Sequence, residues 1–585
     1  MEVTRNNFSR LLPRMLQDIG DCSFVALDFE FSGIFNQKLR PASAYVDGDL
    51  SLQKRYEEVK QAAEEYQILQ VGLTLVVEDD QNDTYSLRPY NIPLSPILDP
   101  RLGVERKWSF QSSALAFLKS HGFRVESIFT DGVPYISMKE EQDAMDRAHT
   151  DKDKLSRSLI NFDTLAPDHA QFIQQVRHSI REWIEKPAPK DTYLNIPKPA
   201  GMTAAYKLPL ELDNYQKRLV HQIVQSEYPG YVSIGKKSFI QILPYDKMRE
   251  NVFLQKKLQR TRCNIASQKG FSWVIEALMG SELSKLDLRL LWRPDGMFTA
   301  AEGSKLTKEC EALREKLRSG PPVLVGHNLF TDLVNFYKCF IGDLPSRVED
   351  FQQAINELFP LVIDTKYMAT TGGVLRDASS ALSTLMENLG SRAVPKSGIL
   401  SHFHASVSTF SSETNIGAND IETHPDHSSY NVSTPMHEAG YDSLMTAQIF
   451  LKLAVQLYET SSPREALVNR ANGDATEIDL MDLSTEPDDE QGKTENTTQQ
   501  KLVYGHATKF DLLLDMDNEE SGASSVGPSE QDSLLEQKVI EGKLLPRLDD
   551  DFWSKYINKL RVFGTTEEVC DLSVHPSSLD LEAIN

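Results

Sequence analysis

The segment FVALDFEFSGI, residues 24–34, carries two carboxylates in an otherwise apolar stretch. Because side chains alternate between the two faces of a β-strand, Asp28 and Glu30 are predicted to project from the same face. Two negative charges side by side at the end of a buried strand repel each other unless a cation lies between them. A divalent metal ion would supply that cation. The simpler alternative is a strand that runs into a solvated loop.

Three further residues with acid or base chemistry lie at predicted junctions between elements. The segment VGHNLFTD predicts a strand that ends at His327 and Asn328, followed by a helix with Asp332 near its start. The segment HEAGYDSLMTAQIF predicts an amphipathic helix that opens near Asp442, with His437 in the turn before it. Taken alone, Asp332 is typical of a charge favoured by a helix dipole, and His437 of an ordinary turn histidine.

Together these residues form the inventory of a two-metal phosphoryl-transfer site. Two divalent ions about 3.5–4 Å apart activate a water molecule and stabilise the leaving oxygen. Carboxylate oxygens suit Mg²⁺, and a neutral histidine accepts a proton near pH 7. The candidate catalytic residues are Asp28, Glu30, Asp332, His437 and Asp442.

The elements that must position these residues alternate between strand and helix patterns. Residues 1–20 predict a helix, and residues 24–31 and 66–77 predict strands. Beyond a long basic region, further strand patterns occur at 321–328 and 358–369. The sequence therefore predicts a single α/β domain with one mixed sheet, interrupted by an inserted unit.

Composition narrows the class of protein. The chain has 585 residues, of which 40% are hydrophobic, and a net charge of −23. Residues 471–585 hold 26 Asp and Glu against 9 Lys and Arg, whereas residues 211–262 hold 5 against 10. The acidic excess thus lies mainly in the tail, and a local basic patch remains available for phosphates.

Cysteine usage and hydropathy predict the compartment. Five cysteines occur without a C-x-x-C pair, which fits a reducing environment and argues against a disulfide scaffold. No apolar run reaches the ~18 residues of a membrane span, and the first residues lack the pattern of a signal peptide. We therefore expect an intracellular protein, in the nucleus, the cytoplasm or both, with no membrane association.

Shifts in composition suggest five segments. The predicted boundaries are 1–165 for the first part of the α/β domain, 166–262 for a linker and the basic inserted domain, 263–462 for the second part of the α/β domain, 463–540 for a disordered acidic linker, and 541–573 for a C-terminal docking segment. Within the second part of the α/β domain, residues 395–435 are weakly patterned and predict a loop. Trp553 is predicted to anchor the docking segment.

The motifs VALDFEFSGI, VGHNLFTD, DTK and HEAGYD follow one another between residue 1 and about residue 455. They resemble the ordered motifs of the DEDD exonuclease superfamily, in its His-containing branch, and specifically the poly(A)-specific ribonuclease family with its small-RNA 3′ trimmer relatives. The resemblance implies an RNase H-like mixed sheet flanked by helices, and 3′-to-5′ hydrolysis of RNA that releases nucleoside 5′-monophosphates. It assigns Asp28, Glu30, Asp332 and Asp442 to two Mg²⁺ ions, which Mn²⁺ is able to replace, and His437 to the general base.

The same resemblance implies RNA contacts beside the metals. The residues it assigns to the substrate are Phe31, Ile34, Leu115 and Phe117, which would line the terminal nucleotides, and Asn328 and Lys366, which would contact ribose and phosphate. Aromatic stacking would hold a base by its face with limited sequence preference. The alternative is core packing for the four apolar residues and a strand-end salt bridge for Lys366.

The basic region resembles a small α+β domain that binds single-stranded nucleic acid and is named for an Arg-x-x-x-His pair. Lys217 takes the position of the arginine, Arg218 follows it, and His221 lies one helical turn further on. Together with Lys236 and Lys237, these residues would bind phosphates in a salt-dependent way. The alternative is an ordinary solvated helix face.

The leading interpretation is a Mg²⁺-dependent 3′-exoribonuclease that acts on single-stranded RNA 3′ ends, with poly(A) as the leading substrate. One alternative is a 3′ trimmer of small or structured noncoding RNAs. Another is a catalytically silent RNA-binding regulator. A homodimer is one expected form, and no RNA-recognition-domain signature follows the nuclease motifs, so cap binding is not expected.

Overall fold

The computed structural model describes residues 1–35, 50–79, 84–150, 159–186, 192–198, 208–281, 283–289, 299–374, 382–389, 421–431, 437–461 and 551–573. The chain forms two compact units. The first comprises Met1–Leu98, Glu105–Lys139 and Gln268–Asn585, and the second comprises Asp99–Val104 and Glu140–Ser267. The predicted insertion, 166–262, lies inside the second unit, and the predicted acidic linker, 463–540, lies outside the described residues.

A mixed sheet forms the centre of the first unit. Its strands are β1 (Phe24–Phe31), β2 (Ile68–Asp79), β3 (Thr84–Ser95), β4 (Val133–Pro134), β8 (Val323–Gly326), β9 (Val362–Asp364) and β10 (Ile421–Thr423). The order across the sheet is β10-β3-β2-β1-β8-β9, and β4 pairs with β3. β1, β2 and β3 pair antiparallel, whereas β8 and β9 continue from β1 in parallel. The predicted α/β fold with an RNase H-like mixed sheet is confirmed.

Helices cover this sheet and connect its strands. They are α1 (Phe8–Asp21), α2 (Leu52–Glu65), α3 (Ser112–Ser120), α4 (Ser127–Thr130), α9 (Ser272–Leu278), α10 (Ala300–Arg318), α11 (Phe330–Phe336), α12 (Val348–Leu358), α13 (Thr365–Thr371), α14 (Leu382–Leu389) and α15 (Ala439–Ser461). Helix α5 (Met138–Thr150) falls almost entirely in the second unit. None of the helices in the described ranges is long and apolar enough to cross a membrane.

Strand β1 is buried on both faces and therefore lies between two hydrophobic cores. Val25, Leu27 and Phe29 belong to the larger core, whereas Phe24 and Ala26 belong to the core that α15 covers. The even-numbered side chains of β1 thus point towards α15. Asp28 and Glu30 are also even-numbered residues of β1, so the same alternation directs their carboxylates towards α15.

The structure differs from the loop that the sequence predicts at 395–435. Residues Ile421–Thr423 form β10, which pairs in parallel with β3, and a 3₁₀ segment follows at Pro425–Asn431. His427 in that segment is fully buried, and its Nδ1 lies 2.8 Å from the carbonyl oxygen of Pro89. A three-residue strand has too few alternating positions to be read from sequence, because its pairing comes from the edge of β3.

Residues 551–573 form what we call the C-terminal strap, which contains α16 (Asp551–Ser554), β11 (Lys559–Arg561) and β12 (Val569–Asp571). Its buried side chains join both cores of the first unit: Trp553, Tyr556, Leu560, Val562, Cys570 and Leu572. At the open edge of β9, the backbone N–H of Asn558 donates to the Val362 carbonyl (2.7 Å), and the N–H of Val362 donates to Asn558 Oδ1 (2.9 Å). The strap therefore covers the sheet edge that β9 would otherwise expose.

The second unit contains a small antiparallel sheet. Its strands β5 (Leu194–Ile196), β6 (Tyr231–Gly235) and β7 (Ile240–Pro244) lie in the order β5-β7-β6. Helices α6 (Pro167–Glu185) and α7 (Asn214–Glu227) share a separate hydrophobic core with these strands. The 23-residue helix α8 (Lys247–Lys269) follows β7. The second unit thus has its own α+β core.

Candidate active site

Strand β1 delivers two of the candidate ligands. Asp28 pairs with Gly72 of β2, and Glu30 pairs with Gln70. Asp28 is half-buried, whereas Glu30 has no exposed surface. Both carboxylates point towards the first turn of α15, as the alternation of β1 requires.

The first turn of α15 approaches the sheet unusually closely. A Cβ on Gly72 would lie 1.7 Å from the carbonyl oxygen of Ala439, so only glycine leaves room for that turn. The side chains of Gln70 and Asn91 accept hydrogen bonds from the backbone N–H groups of Ala439 (3.1 Å) and Gly440 (3.2 Å). These contacts fix the start of the helix against β2 and β3. Asp442 follows directly, and only 3% of it is exposed.

The two elements bring three carboxylates together. Ligand oxygens of Asp28, Glu30 and Asp442 all lie within 4.8 Å of one another. Three like charges at this spacing, two of them buried, repel strongly unless a cation or protons offset them. A set of carboxylate oxygens alone is the donor set that Mg²⁺ and Mn²⁺ prefer. The residues present therefore fit a hard divalent cation.

Asp332 lies in the first turn of α11 and is half-buried, but it does not belong to this three-residue group. A buried carboxylate holds the turn that precedes Asp332. Asn328 has a left-handed backbone (φ +59°), and its N–H donates to the carboxylate of Asp364 at 2.9 Å. Asp364 thereby determines where the chain turns from β8 into the helix that carries Asp332.

Asp364 joins three separate parts of the chain. Its carboxylate accepts hydrogen bonds from the backbone N–H groups of Asn328, of Lys366 (2.9 Å) and of Arg561 in the strap (3.0 Å). Burial raises the pKa of this carboxyl, and the N–H groups act in the opposite direction. Asp364 is fully buried, so its oxygens serve the backbone and not the solvent.

His437 occupies a strained turn before α15. Its φ is +61°, a region that a residue with a side chain rarely adopts. Its ring packs edge-to-face against Phe117 (4.7 Å between centroids) and against His121 (4.4 Å). The sequence interpretation did not select His121, because nothing in its local pattern shows which distant turn it will contact.

Some of the predicted substrate residues lie in an apolar cluster that touches His437, whereas others are buried elsewhere in the first unit. Ile34, Leu115 and Phe117 join one small apolar cluster, and Phe117 in that cluster touches His437. Phe31 is 6% exposed and belongs to the large core. Lys366 is 3% exposed, and its Nζ lies 5.6 Å from the centre of the Phe563 ring in the strap.

In the insertion, two predicted phosphate ligands hold the unit's own hairpin. Lys217 Nζ donates to the carbonyl oxygen of Lys237 at 2.6 Å. His221 Nδ1 lies 2.7 Å from Ser233 Oγ on β6, and burial lowers the pKa of His221. Arg218, Lys236 and Lys237 have exposed side chains. Lys217 and His221 thus tie α7 to the hairpin of β6 and β7.

Comparison with known proteins shows that the chain is similar to ribonucleases. The pattern of the CAF1 family ribonucleases matches residues 3–450. The poly(A)-specific ribonuclease of Xenopus laevis is 24% identical over 479 residues, which are 80% of this chain and 65% of that protein. The pre-piRNA 3′-exonuclease trimmer of Bombyx mori is 25% identical over 466 residues, covering 77% of this chain and 71% of its own.

Two further matches come from fission yeast. An uncharacterised Schizosaccharomyces pombe protein is 26% identical over 454 residues, which are 77% of this chain and 92% of that one. The solved structure of S. pombe Pop2p, in its Mg²⁺ and Mn²⁺ bound form, covers 79% of this chain at 12% identity, with a TM-score of 0.33. The chain spans slightly less than two thirds of the frog ribonuclease's length. Because the family pattern extends over most of the chain, the protein belongs to the CAF1 family of ribonucleases.

Proposed function

We propose that this protein is a divalent-metal-dependent 3′-to-5′ exoribonuclease that removes nucleotides from single-stranded RNA 3′ ends. The observation that carries the proposal is the cluster of Asp28, Glu30 and Asp442, whose oxygens lie within 4.8 Å. In a CAF1-family chain, such a cluster fits hydrolysis of a phosphodiester better than a purely structural role.

Asp28, Glu30 and Asp442 would hold the first metal ion, and Asp332 would complete the set for a second. When bound, Mg²⁺ or Mn²⁺ would lower the pKa of a coordinated water and neutralise charge on the scissile phosphate. The protein supplies carboxylates from two rigid elements, β1 and α15, that backbone contacts hold together. This rigidity keeps the three side chains in place before any RNA arrives.

His437 would accept the proton of the attacking water. An imidazole is the side chain best suited to that transfer near pH 7. The neighbouring apolar cluster of Ile34, Leu115 and Phe117 would receive the terminal bases and exclude water from the reacting phosphate. A neutral stacking surface does not read base identity strongly, so this part of the site accepts several 3′-terminal sequences.

Poly(A) is the leading substrate, and trimming of small noncoding RNAs is the second candidate. The silkworm trimmer matches at nearly the same identity as the frog ribonuclease, and the match covers more of the trimmer's own length. Single-stranded RNA 3′ ends are therefore the proposed partner class. A homodimer and a nuclear or cytoplasmic location belong to the same proposal.

Incubation of the purified full chain with 5′-labelled RNAs ending in oligo(A), oligo(U) or mixed sequence tests the proposal. We expect stepwise shortening from the 3′ end and release of nucleoside 5′-monophosphates in Mg²⁺ or Mn²⁺, and neither in EDTA. Preference for the oligo(A) end would favour deadenylation, and equal rates would favour general trimming. Folded protein that binds these RNAs but shortens none of them in either metal would instead identify an RNA-binding regulator.

Variants connect the activity to the carboxylates. Asp28→Asn or Asp442→Asn should abolish hydrolysis and weaken Mn²⁺ binding in calorimetry, with little change in thermal midpoint because each change preserves shape. His437→Ala should slow turnover by about 10²–10⁴ and leave metal binding largely intact. An asparagine variant that keeps full activity would remove its residue from the site.

A further inference from the structure

The exposed surface of the second unit contains an apolar and basic face on α8. Met248, Val252 and Phe253 are 79%, 54% and 66% exposed, whereas Leu258 and Ile265 of the same helix are buried. At 100° per residue, the exposed apolar side chains share one side with Arg249, Lys256 and Arg260. These six residues define the α8 face. Three large apolar side chains at this exposure mark a binding surface.

The charge of this segment indicates the partner. Residues 247–262 hold six Lys and Arg against one acidic residue, in a chain whose net charge is −23. Phe253 is one helical turn from both Arg249 and Lys256, so cations flank the exposed ring on each side. Basic side chains interleaved with an exposed aromatic ring are the surface that single-stranded nucleic acid requires, because phosphates pair with the cations and a base stacks on the ring.

Two residues of the RNA-binding surface that the sequence predicts for the insertion make hydrogen bonds within the second unit itself. Lys217 donates to the Lys237 carbonyl and His221 is bonded to Ser233, so both serve the fold of the second unit. We infer that the α8 face is a surface of this unit that binds single-stranded RNA. The inference rests on RNA being the substrate, as proposed above.

Binding measurements with the full chain carrying Asp28→Asn, so that RNA is not consumed, test the inference. Titration of a long single-stranded oligo(A) at several salt concentrations gives the salt slope. Lys256→Ala with Arg260→Ala should reduce the slope by about 1.4, which is about 0.7 for each lost phosphate contact. Phe253→Ala should weaken binding by about tenfold with the slope unchanged, since stacking is uncharged.

A matched control is Lys305→Ala with Lys308→Ala, which removes two exposed cations from α10 in the first unit. An equal loss in this control would show that total charge matters and would overturn the inference. So would unchanged RNA affinity in the α8 variants, including a result in which Phe253→Ala turns a dimer into a monomer and identifies a second copy as the occupant. Failure of the parent chain to bind any RNA would overturn both this inference and the proposed function.

A separate observation concerns His121. Its Nδ1 lies 3.0 Å from the Phe117 carbonyl, which can only accept, so in the neutral ring Nδ1 carries the proton and is held in place. The His121 and Phe117 rings (4.3 Å between centroids) form a corner into which the His437 ring packs. We propose that His121 is a positioning residue that fixes the orientation of the His437 imidazole in its strained turn.

Replacement of His121 by alanine and by phenylalanine separates positioning from proton transfer. His121→Ala should lower kcat by about 2- to 10-fold with KM unchanged, the range expected for losing an aromatic contact. His121→Phe should restore the rate and leave the pH–rate profile unchanged. In metal-free protein labelled at histidine, the NMR signal of the His437 ring should shift in the alanine variant.

Two results would overturn this proposal: a His121→Phe enzyme as slow as His121→Ala, or a His437 signal that does not move. The proposal rests on His437 being the general base. If His437→Ala leaves the rate unchanged, that assignment itself fails, irrespective of the His121 variants.

Discussion

We expect the C-terminal strap to be required for folding of the first unit. A chain that ends at Ser461 lacks six buried side chains that belong to its two cores. Burial of each contributes about 1.5–3 kcal/mol, so the loss for all six is about 9–18 kcal/mol, an upper estimate since the unfolded chain is partly compact. Domains are typically stable by about 5–15 kcal/mol. The truncated chain should therefore aggregate or unfold without a cooperative transition.

The polar contacts of the strap add to this loss. Asn558 pairs with Val362 through two hydrogen bonds, and its Nδ2 donates to the Pro360 carbonyl (2.8 Å). The N–H of Arg561 donates to Asp364. Without the strap, the edge of β9 loses its partners, and one oxygen of Asp364 keeps only the 3.4 Å hydrogen bond from the N–H of Leu329. Removing partners from buried polar groups costs about 1–3 kcal/mol each.

The matched control keeps the strap and removes the chain that precedes it. The Tyr458 and Phe552 rings are 5.5 Å apart, so α15 ends close to where the strap begins. Replacing residues 463–549 by a linker of about ten residues should preserve the fold and stabilise it by about 2 kcal/mol, because loop-closure entropy follows the logarithm of length.

Urea unfolding, followed by tryptophan fluorescence and circular dichroism, measures the difference. A peptide of residues 545–573, added to the truncated chain during refolding, should recover part of the native signal. If the chain ending at Ser461 unfolds cooperatively at the midpoint of the full protein, the strap is a surface attachment and the calculation is wrong.

Three other changes test individual contacts. Gly72→Ala should sharply reduce metal affinity and hydrolysis, because its Cβ would meet the Ala439 carbonyl at 1.7 Å; Gly230→Ala, whose Cβ would meet no atom of the described residues beyond its chain neighbours within 4 Å, is the control for both readouts. Burial lowers the pKa of His427 to about 3, against about 6.5 when unfolded, so the unfolded chain gains a proton first as the pH falls below 6.5. Stability should drop by about 2 kcal/mol between pH 7.5 and 5, and His427→Asn should remove that part of the slope in urea midpoints. Asp364→Ala leaves several buried N–H groups unpaired and should cost about 3 kcal/mol or more in the same assay, whereas an unchanged midpoint would show that water replaces the carboxylate.

Much of the candidate metal site follows from short-range rules. Asp28 and Glu30 share a face because strands alternate, and Asp442 lies in a first turn because the helix pattern starts just before it. His121, Gln70 and Asn91 could not be selected, since their roles depend on contacts with a turn hundreds of residues away. Local sequence shows what a residue can do, but not what lies opposite it.

Local sequence was equally unable to predict the contacts of the candidate RNA-binding lysines and of the strap. Lys217 and Lys366 match family positions, but one donates to a hairpin carbonyl and the other is buried beside Phe563. The strap's apolar residues indicate docking, whereas the pairing of Asn558 with β9 depends on an edge that only the folded sheet creates. For the close approach of α15 to the sheet, the sequence does contain one signal, which is Gly72. An isolated glycine in a strand pattern marks a close backbone approach.

The contact between Gly72 and Ala439 joins backbone to backbone. Elsewhere the distance between a helix and a sheet depends on the volumes of the side chains between them, so it changes as a core accumulates substitutions. At this end of α15 no side chain intervenes, and the spacing of Asp28 and Asp442 is insulated from such drift. A chain with this contact can thus exchange many of its core side chains and still present its carboxylates at one distance.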